Sequence, residues 1–250
     1  MTPIVCTVGT TDPWNAAGLG LDVRALAECG ARAVTVVAGV SAQDAQGLSA
    51  LHAIPDAVIA AQFASLRSLP IAAYRIGALP ESAIATVAAG VQDVRVPVVY
   101  DPVLRASAGG GFVDEAALTA IVRELIGRAT IVTPNLDEAR RLARLERCDD
   151  LETMREAAQK LVGFGAGAAL VTGGRRGQNA FDVYFDGAFE VFEHAAVSTT
   201  MRGTGCLLSD AVAAALARGE NARAAIVTAR AYVRRKLESA RDLGSMRVAD

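Results

Sequence analysis

An α/β fold, with a mostly parallel central sheet and helices on both of its faces, is predicted by three features of this 250-residue chain. Short apolar runs of strand length recur between longer alanine-rich stretches. The runs lack strict polar alternation, as expected of strands covered on both sides. Late in the chain, aromatic and β-branched residues around Asp186-Gly187 break the rhythm and signal a hairpin, hence a small antiparallel extension at one edge of the sheet.

Taken in order, the strand-length runs are Ile4–Val8, Ala33–Val37, Ala73–Ile76, Val96–Tyr100, Thr130–Thr133 and Ala168–Thr172. Helical spacing of apolar residues covers 18–29, 55–66, 81–91, 114–127, 136–143, 151–164, 206–218 and 221–239. Strands alternating with helices predict parallel strands joined by helical crossovers. No linker or low-complexity segment divides the chain, so residues 1–250 read as one domain.

Composition narrows the function classes. With 52% apolar and 21% charged residues and a net charge of −2, the chain is a soluble globular type. Its 25 basic residues are matched by 27 acidic ones and are scattered, which argues against nucleic acid as a partner. The run Arg234-Arg235-Lys236 reads as a solvated helix face. No apolar segment approaches the roughly 20 residues that span a bilayer, and the N-terminus lacks the positive flank of a signal peptide. A cytoplasmic protein with no membrane partner is expected. The four cysteines, Cys6, Cys29, Cys148 and Cys206, form no C-x-x-C pair, and His52 and His194 stand alone, so neither a zinc site nor a disulfide is expected.

The run Gly203-Thr204-Gly205-Cys206 opens a helix, because Leu207, Leu208, Ala211, Val212, Ala215 and Leu216 follow at helical spacing. Glycines let an anion approach the backbone, and the first turn of a helix offers free N–H groups and the positive end of its dipole. Such a turn suits a phosphoryl group in transit. Cys206, in that turn, is a candidate acceptor for the substrate proton, since a helix N-terminus lowers a thiol pKa. The same run reads equally well as a tight turn ending in a packed cysteine.

Polar residues also follow other strands, where open α/β sheets bind ligands. Asp101, Asn135 and Glu138 make an oxygen-ligand set suited to Mg²⁺, partly through waters. Asn135 reads equally as a helix N-cap with Glu138 as its capping-box partner. Asp12 follows the first strand, where it also suits a helix cap. Gln43 follows the second, where its amide suits a ring nitrogen beside an exocyclic amine or simply a loop in water. Neither a Walker-type loop nor a G-x-G-x-x-G follows the first strand.

Seven segments in order carry a family resemblance: the first-strand Asp12, Ala42-Gln43, Arg-Ile-Gly-Ala-Leu at 75–79, Asp-Pro-Val-Leu at 101–104, Thr-Pro-Asn-Leu-Asp-Glu-Ala at 133–139, Val-Thr-Gly-Gly at 171–174 and Gly-Thr-Gly-Cys at 203–206. Together they resemble the hydroxymethylpyrimidine/phosphomethylpyrimidine kinases of thiamine biosynthesis, over nearly the whole chain. The resemblance implies a three-layer α/β/α ribokinase-like fold and an ATP-dependent kinase acting on a pyrimidine hydroxymethyl group, or then on its monophosphate. It implies Mg²⁺ with ATP, allows for K⁺, and suggests a homodimer. It assigns Gly203, Thr204, Gly205 and Cys206 to catalysis, and Asp12, Gly18, Gln43 and Ala78 to the substrate. Asn135, Thr172, Gly174 and Arg202 fall to the nucleotide, and Asp101 and Glu138 to the metal.

Departures from the family pattern lie at the substrate mouth and beside the phosphates. Small residues of the first loop give way to Pro13-Trp14, the usual methionine is Ala78, the usual lysine is Thr172, and the usual histidine before the glycine turn is Arg202. Arg202 is a candidate to replace the lost lysine charge, since guanidinium binds phosphate in a fork. These changes leave two alternatives: a pyridoxal-type kinase acting on another hydroxymethyl heterocycle, and a ligand-binding homologue with weak turnover.

Overall fold

The computed structural model describes residues 1–104 and 114–249. In chain order the strands and helices are β1 (Ile4–Thr11), α1 (Gly18–Glu28), β2 (Arg32–Gln43), β3 (Leu48–Ala53), α2 (Asp56–Ser65), β4 (Ile71–Ile76), α3 (Ile84–Gly90), β5 (Val98–Tyr100) and α4 (Glu115–Glu124). There follow β6 (Ile131–Val132), α5 (Leu136–Leu142), α6 (Leu151–Gly163), β7 (Ala169–Arg176), β8 (Asn179–Phe185), β9 (Phe189–Ala195), α7 (Thr204–Ala217), α8 (Ala222–Glu238), β10 (Arg241–Leu243) and β11 (Met246–Val248). Two short 3₁₀ turns, Glu81–Ala83 and Ile126–Arg128, complete the described elements.

The central sheet has the order β3-β2-β1-β4-β5-β6-β7-β8-β9. Strands β2 through β7 are parallel across the middle. Residues alternate between two cores along each strand, as the pleat requires. Cys6, Val98, Tyr100, Val132 and Val171 face a core built with α2, α3, α4, α5 and α6. Val5, Val99, Ile131 and Leu170 face the other, built with α1, α7 and α8. This is the expected three-layer arrangement. Helix α7 is buried along nearly its whole length, from Leu207 to Leu216, which accounts for its near-absence of polar residues.

The sheet carries antiparallel strands at both edges. The β8–β9 pair is the hairpin expected around Asp186-Gly187, but β3 also folds back on β2 at the far edge. There the Asp44 side chain accepts hydrogen bonds from the Gln46 and Gly47 N–H groups, closing a turn that the polar Ser-Ala-Gln-Asp run did not betray. Strand β2 is accordingly twelve residues long rather than five. Strand β5 starts two residues later than expected, after Pro97, which has no N–H to give the ladder. A separate hairpin, β10 with β11, follows α8 and was not expected. No helix among the described residues is long and apolar enough to cross a membrane.

Sequential strands run first to one side of β1 and then to the other, so the order switches between β1 and β4. Ligands in such sheets sit outside the carboxyl ends of the strands near the switch. Thr10, Gln43, Ala78, Asp101 and Thr133 lie at or just beyond such ends and, with Thr172 from within β7, line one cavity. Gly174 does not. A Cβ there would lie 2.6 Å from the Phe181 ring and 2.8 Å from the Met154 sulfur, so this glycine serves core packing, in place of the nucleotide contact expected of it. Gly174→Ala is therefore expected to destabilise the fold by about 1–3 kcal/mol through overpacking. Urea unfolding measures this, and unchanged stability would contradict the placement.

Candidate active site

A cavity of about 300 Å³ opens at the carboxyl ends of the parallel strands. Its walls bring together Gly18, Gln43, Ala78, Asp101, Asn135, Glu138, Thr172 and the whole run Arg202–Cys206. A second cavity of about 340 Å³ lies beside it, and the two share Thr172, Met201, Thr204 and Gly205. The N-terminus of α7 stands at that junction.

The helix begins there because Gly203, its N-cap, has φ +82°. A Cβ at Gly203 would lie 2.4 Å from the Ala16 carbonyl and 2.5 Å from Leu21, so both conformation and space demand glycine. Thr204, Gly205 and Cys206 then present the N–H groups of a first helical turn, which have no acceptor within the helix. Gly205 differs from Gly203. A Cβ on Gly205 would meet Asp101 Oδ1 at 3.7 Å, an ordinary contact, so the protein leaves this space open.

Asp101 faces that turn, and one of its oxygens is already engaged. Oδ2 accepts hydrogen bonds from Arg75 Nη2 at 2.8 Å and from Ser209 Oγ at 3.2 Å. Arg75, 1% exposed, is the hub of a buried cluster. Its Nη1 donates to Asp22 Oδ2 at 2.9 Å, its Nε donates to Ser209 Oγ at 3.1 Å, and Asp210 Oδ1 lies 3.6 Å from Nε. Thr7 Oγ1 donates to the same Asp22 oxygen at 2.7 Å. A Cβ on Gly77 would come within 2.2 Å of Nη1, so the Arg-Ile-Gly run leaves room for its own guanidinium.

One cation cannot balance three buried carboxylates. Burial raises the pKa of Asp22, Asp101 and Asp210, with Arg75 opposing it, and Asp210 rises furthest because Asp22 is beside it. We read Asp210 as protonated and donating to Asp22. This also pairs the otherwise orphaned Asp22 Oδ1 with one of the two orphaned Asp210 oxygens.

The same surroundings act on Cys206, which is half-buried and lines the cavity. Burial pushes its thiol up to about 12, with Arg75 pulling down and Asp101, Asp22 and Asp210 pushing up. Desolvation and the neighbouring carboxylates work against the helix dipole, so these surroundings favour the neutral thiol.

Asn135 and Glu138 form the capping box that the sequence allowed: Asn135 Oδ1 accepts from the Glu138 N–H at 3.0 Å, and Glu138 Oε2 accepts from the Asn135 N–H at 2.8 Å. Both nevertheless line the cavity. Burial first, and then the Asp101 charge, push the Glu138 carboxyl up to about 8. Among the described residues no cluster of three acidic, histidine or cysteine side chains forms a ready-made metal cage. A carboxylate raised by burial and by a second carboxylate nearby suits Mg²⁺, which keeps waters and takes one or two carboxylates together with phosphate oxygens.

Two of the expected site residues, one assigned to the substrate and one to the nucleotide, have partners within the protein. Asp12 lies beneath the first loop, where its carboxylate accepts from the N–H groups of Trp14, Ala16 and Ala17 at 3.1, 3.2 and 3.0 Å. Arg202, expected at the nucleotide, is engaged beside Gln43: Nη1 donates to the Asp44 carbonyl at 2.9 Å, and Nη2 donates to Gln43 Oε1. The β10–β11 hairpin covers this end, with the Arg202 N–H donating to the Arg247 carbonyl at 3.0 Å and Gly244 packing near Trp14. In the second cavity, His194 is not isolated. It contacts Arg230, whose Nε donates to Asp182 at 2.9 Å, and Gly173 forms part of the wall.

Sequence reasoning missed Arg75, Asp22, Ser209, Asp210 and Arg230. The available signal was charge at positions whose neighbours face a core, as in Tyr74-Arg75-Ile76 and Leu208-Ser209-Asp210-Ala211.

Comparison with known proteins gives a consistent answer. A family model described as phosphomethylpyrimidine kinase matches residues 12–249. A hydroxymethylpyrimidine/phosphomethylpyrimidine kinase of Rhizobium meliloti is 32% identical over 245 residues, covering 96% of this chain and 92% of the relative. A bifunctional thiamine biosynthesis protein of Geobacter sulfurreducens is 34% identical over 246 residues, and this chain spans 50% of its length. The pyridoxal kinase of Bacillus subtilis, solved as an ADP complex, superimposes with a TM-score of 0.92 at 26% identity, covering 100% of this chain and 97% of that one.

The buried cluster makes a prediction about stability. Carboxyls whose pKa is raised on folding hold protons that the unfolded chain has released, so stability falls as pH rises above the ordinary carboxyl range. For Glu138 the window runs from 4.5 to about 8. In metal-free buffer, urea unfolding is expected to show lower stability at pH 8 than at pH 5, and Asp210→Asn is expected to narrow the difference. Arg75→Met strands the carboxylates and is expected to cost about 3–5 kcal/mol. Equal or greater wild-type stability at pH 8 would contradict the protonation assignment.

Proposed function

The chain belongs to the phosphomethylpyrimidine kinase family, and from that premise we propose that it transfers the γ-phosphoryl group of ATP to the hydroxymethyl group of a pyrimidine, and then to the resulting monophosphate, in thiamine biosynthesis. The observation that carries this reading is the α7 N-terminus at the junction of two cavities, with Asp101 and Glu138 lining the first. The first cavity, which ends at Gln43 and Ala78, takes the hydroxymethyl heterocycle. The second takes the nucleotide, whose phosphates meet the substrate over Thr204 and Gly205.

In phosphoryl transfer the protein contributes mainly position and charge stabilisation. The N–H groups of Thr204, Gly205 and Cys206 converge on the space above Gly205 and stabilise charge on the moving group. Asp101 and Glu138 are the residues to hold Mg²⁺, which when bound neutralises charge on the phosphates. Arg75 and Ser209 fix Asp101 Oδ2, so the other oxygen keeps its direction toward the turn. The alcohol proton leaves late in a loose transition state. A neutral Cys206 thiol cannot receive it, so we assign the proton to an oxygen of the transferred phosphoryl group and give Cys206 the task of bounding the space for the hydroxymethyl group.

We place the enzyme in the cytoplasm, a reading supported by four cysteines that form no disulfide. A homodimer is the state the resemblance implies.

Purified protein given ATP, Mg²⁺ and hydroxymethylpyrimidine is expected to release ADP, with pyridoxal in the same panel as a poorer acceptor. No ADP above background would overturn the proposal, and a clear preference for pyridoxal would replace its substrate. Gly205→Ala is expected to leave the melting temperature nearly unchanged while lowering kcat about 10²-fold or more, because the methyl takes the space of the phosphoryl group. Gly203→Ala is expected to compromise the fold itself. Cys206→Ser is expected to keep kcat within about tenfold. A loss of about 10²–10⁴, the range for a removed general base, would restore the thiol to that role.

A further inference from the structure

Gln43 closes one end of the first cavity, and its amide has two unlike ends: Oε1 accepts and Nε2 donates. A glutamine free to rotate serves a ring edge of amine beside ring nitrogen, or by turning over, one of carbonyl beside ring N–H. Here both ends are fixed by groups of a single hydrogen-bonding sense. Arg202 Nη2 donates to Oε1, and a guanidinium has five N–H donors and no acceptor, so only the oxygen can face it. At the other end, Ser41 Oγ gives its one proton to the Thr11 carbonyl at 2.5 Å. That leaves lone pairs for Gln43, whose Nε2 donates to Ser41 Oγ at 3.1 Å.

Arg202 is itself held. It is 7% exposed, its Nη1 donates to the Asp44 carbonyl at 2.9 Å and lies 3.3 Å from the Met246 sulfur, and Asp12 Oδ2 stands 3.9 Å from Nη2. Turning the amide over would set N–H against guanidinium and oxygen against the Ser41 lone pairs. Both contacts are repulsive in a buried setting.

We propose that Arg202 is a specificity-determining positioning residue, which locks the Gln43 amide so that the cavity accepts an amine beside a ring nitrogen and rejects a carbonyl beside a ring N–H. After both clamps are made, Oε1 keeps one lone pair and Nε2 one hydrogen. These match an amine hydrogen and a ring-nitrogen lone pair in one order only. The reversed edge sets lone pair against lone pair and leaves two buried groups unpaired. The inference rests on reading this cavity as the pyrimidine site, and it adds which pyrimidines enter.

The test compares an aminohydroxymethylpyrimidine with its oxo counterpart, in which a carbonyl replaces the amine and the adjacent ring nitrogen carries hydrogen. Both kcat/KM with ATP and Mg²⁺ and the calorimetric Kd without nucleotide are measured. The wild type is expected to favour the amine at least about 100-fold. Arg202→Gln, whose amide accepts as well as donates, is expected to bring the ratio below about tenfold, while Arg202→Lys, with donors only, keeps it. If Arg202→Gln does not fold by circular dichroism, Ser41→Ala frees the opposite end of the amide and is expected to shift the ratio in the same direction. A ratio unchanged in a folded Arg202→Gln or in Ser41→Ala, or a wild type that treats both pyrimidines alike, overturns the lock and leaves the kinase reading standing. A wild type that binds neither pyrimidine overturns both.

Discussion

The buried Arg75 guanidinium is the constraint on which the site depends. It lies on β4 and reaches Asp22 on α1, Asp101 after β5, and Ser209 and Asp210 on α7. Four packed elements are thereby referred to one point. A planar group with donors in a fixed fork sets directions as well as charge, so the first turn of α7 and the Asp101 carboxylate are placed relative to each other. The cost is a cluster with too much negative charge, relieved by keeping Asp210 protonated. A hydrophobic cluster of equal volume would fill the space and lose the orientation.

Much of the architecture was legible in the sequence because it rests on local pattern. Doubly buried strands announce themselves as unbroken apolar runs, and α7 as an apolar helix after a glycine turn. The capping box of Asn135 and Glu138 could be read from spacing alone, and both residues do face the cavity. What could not be read depends on distant partners. Nothing near Arg75 announces that Asp22, Asp101 and Asp210 converge on it, and nothing near Arg202 that Gln43 and Asp44 receive its donors. The β3 hairpin escaped because an Asx turn closed by Asp44 looks like any polar loop. For Cys206 the helix terminus was visible in the sequence and the buried acidic cluster beside it was not.

The two cavities share a wall, so one short turn serves both ligands. Thr204 and Gly205 belong to each cavity, and Gly203 makes the turn possible by a conformation other residues rarely adopt. The departures from the family pattern at Trp14, Ala78 and Arg202 gather toward the outer end of the first cavity, whereas Thr172 stands in the wall that the two cavities share. The chemistry is held by the inner cluster, and recognition is adjusted at the rim.

At that rim the early and late parts of the chain are tied together. Gln43 is held by Arg202 across 159 residues of chain, and the Arg202 backbone is held by Arg247. Contacts that close such long loops bear the largest entropy of closure and are slow to form. The far end of α7 is tied to α1 over a comparable separation, Arg218 Nη1 reaching the Cys29 carbonyl across 189 residues, so the turn at the cavity junction and the amide at its rim both depend on contacts between the early and late parts of the chain.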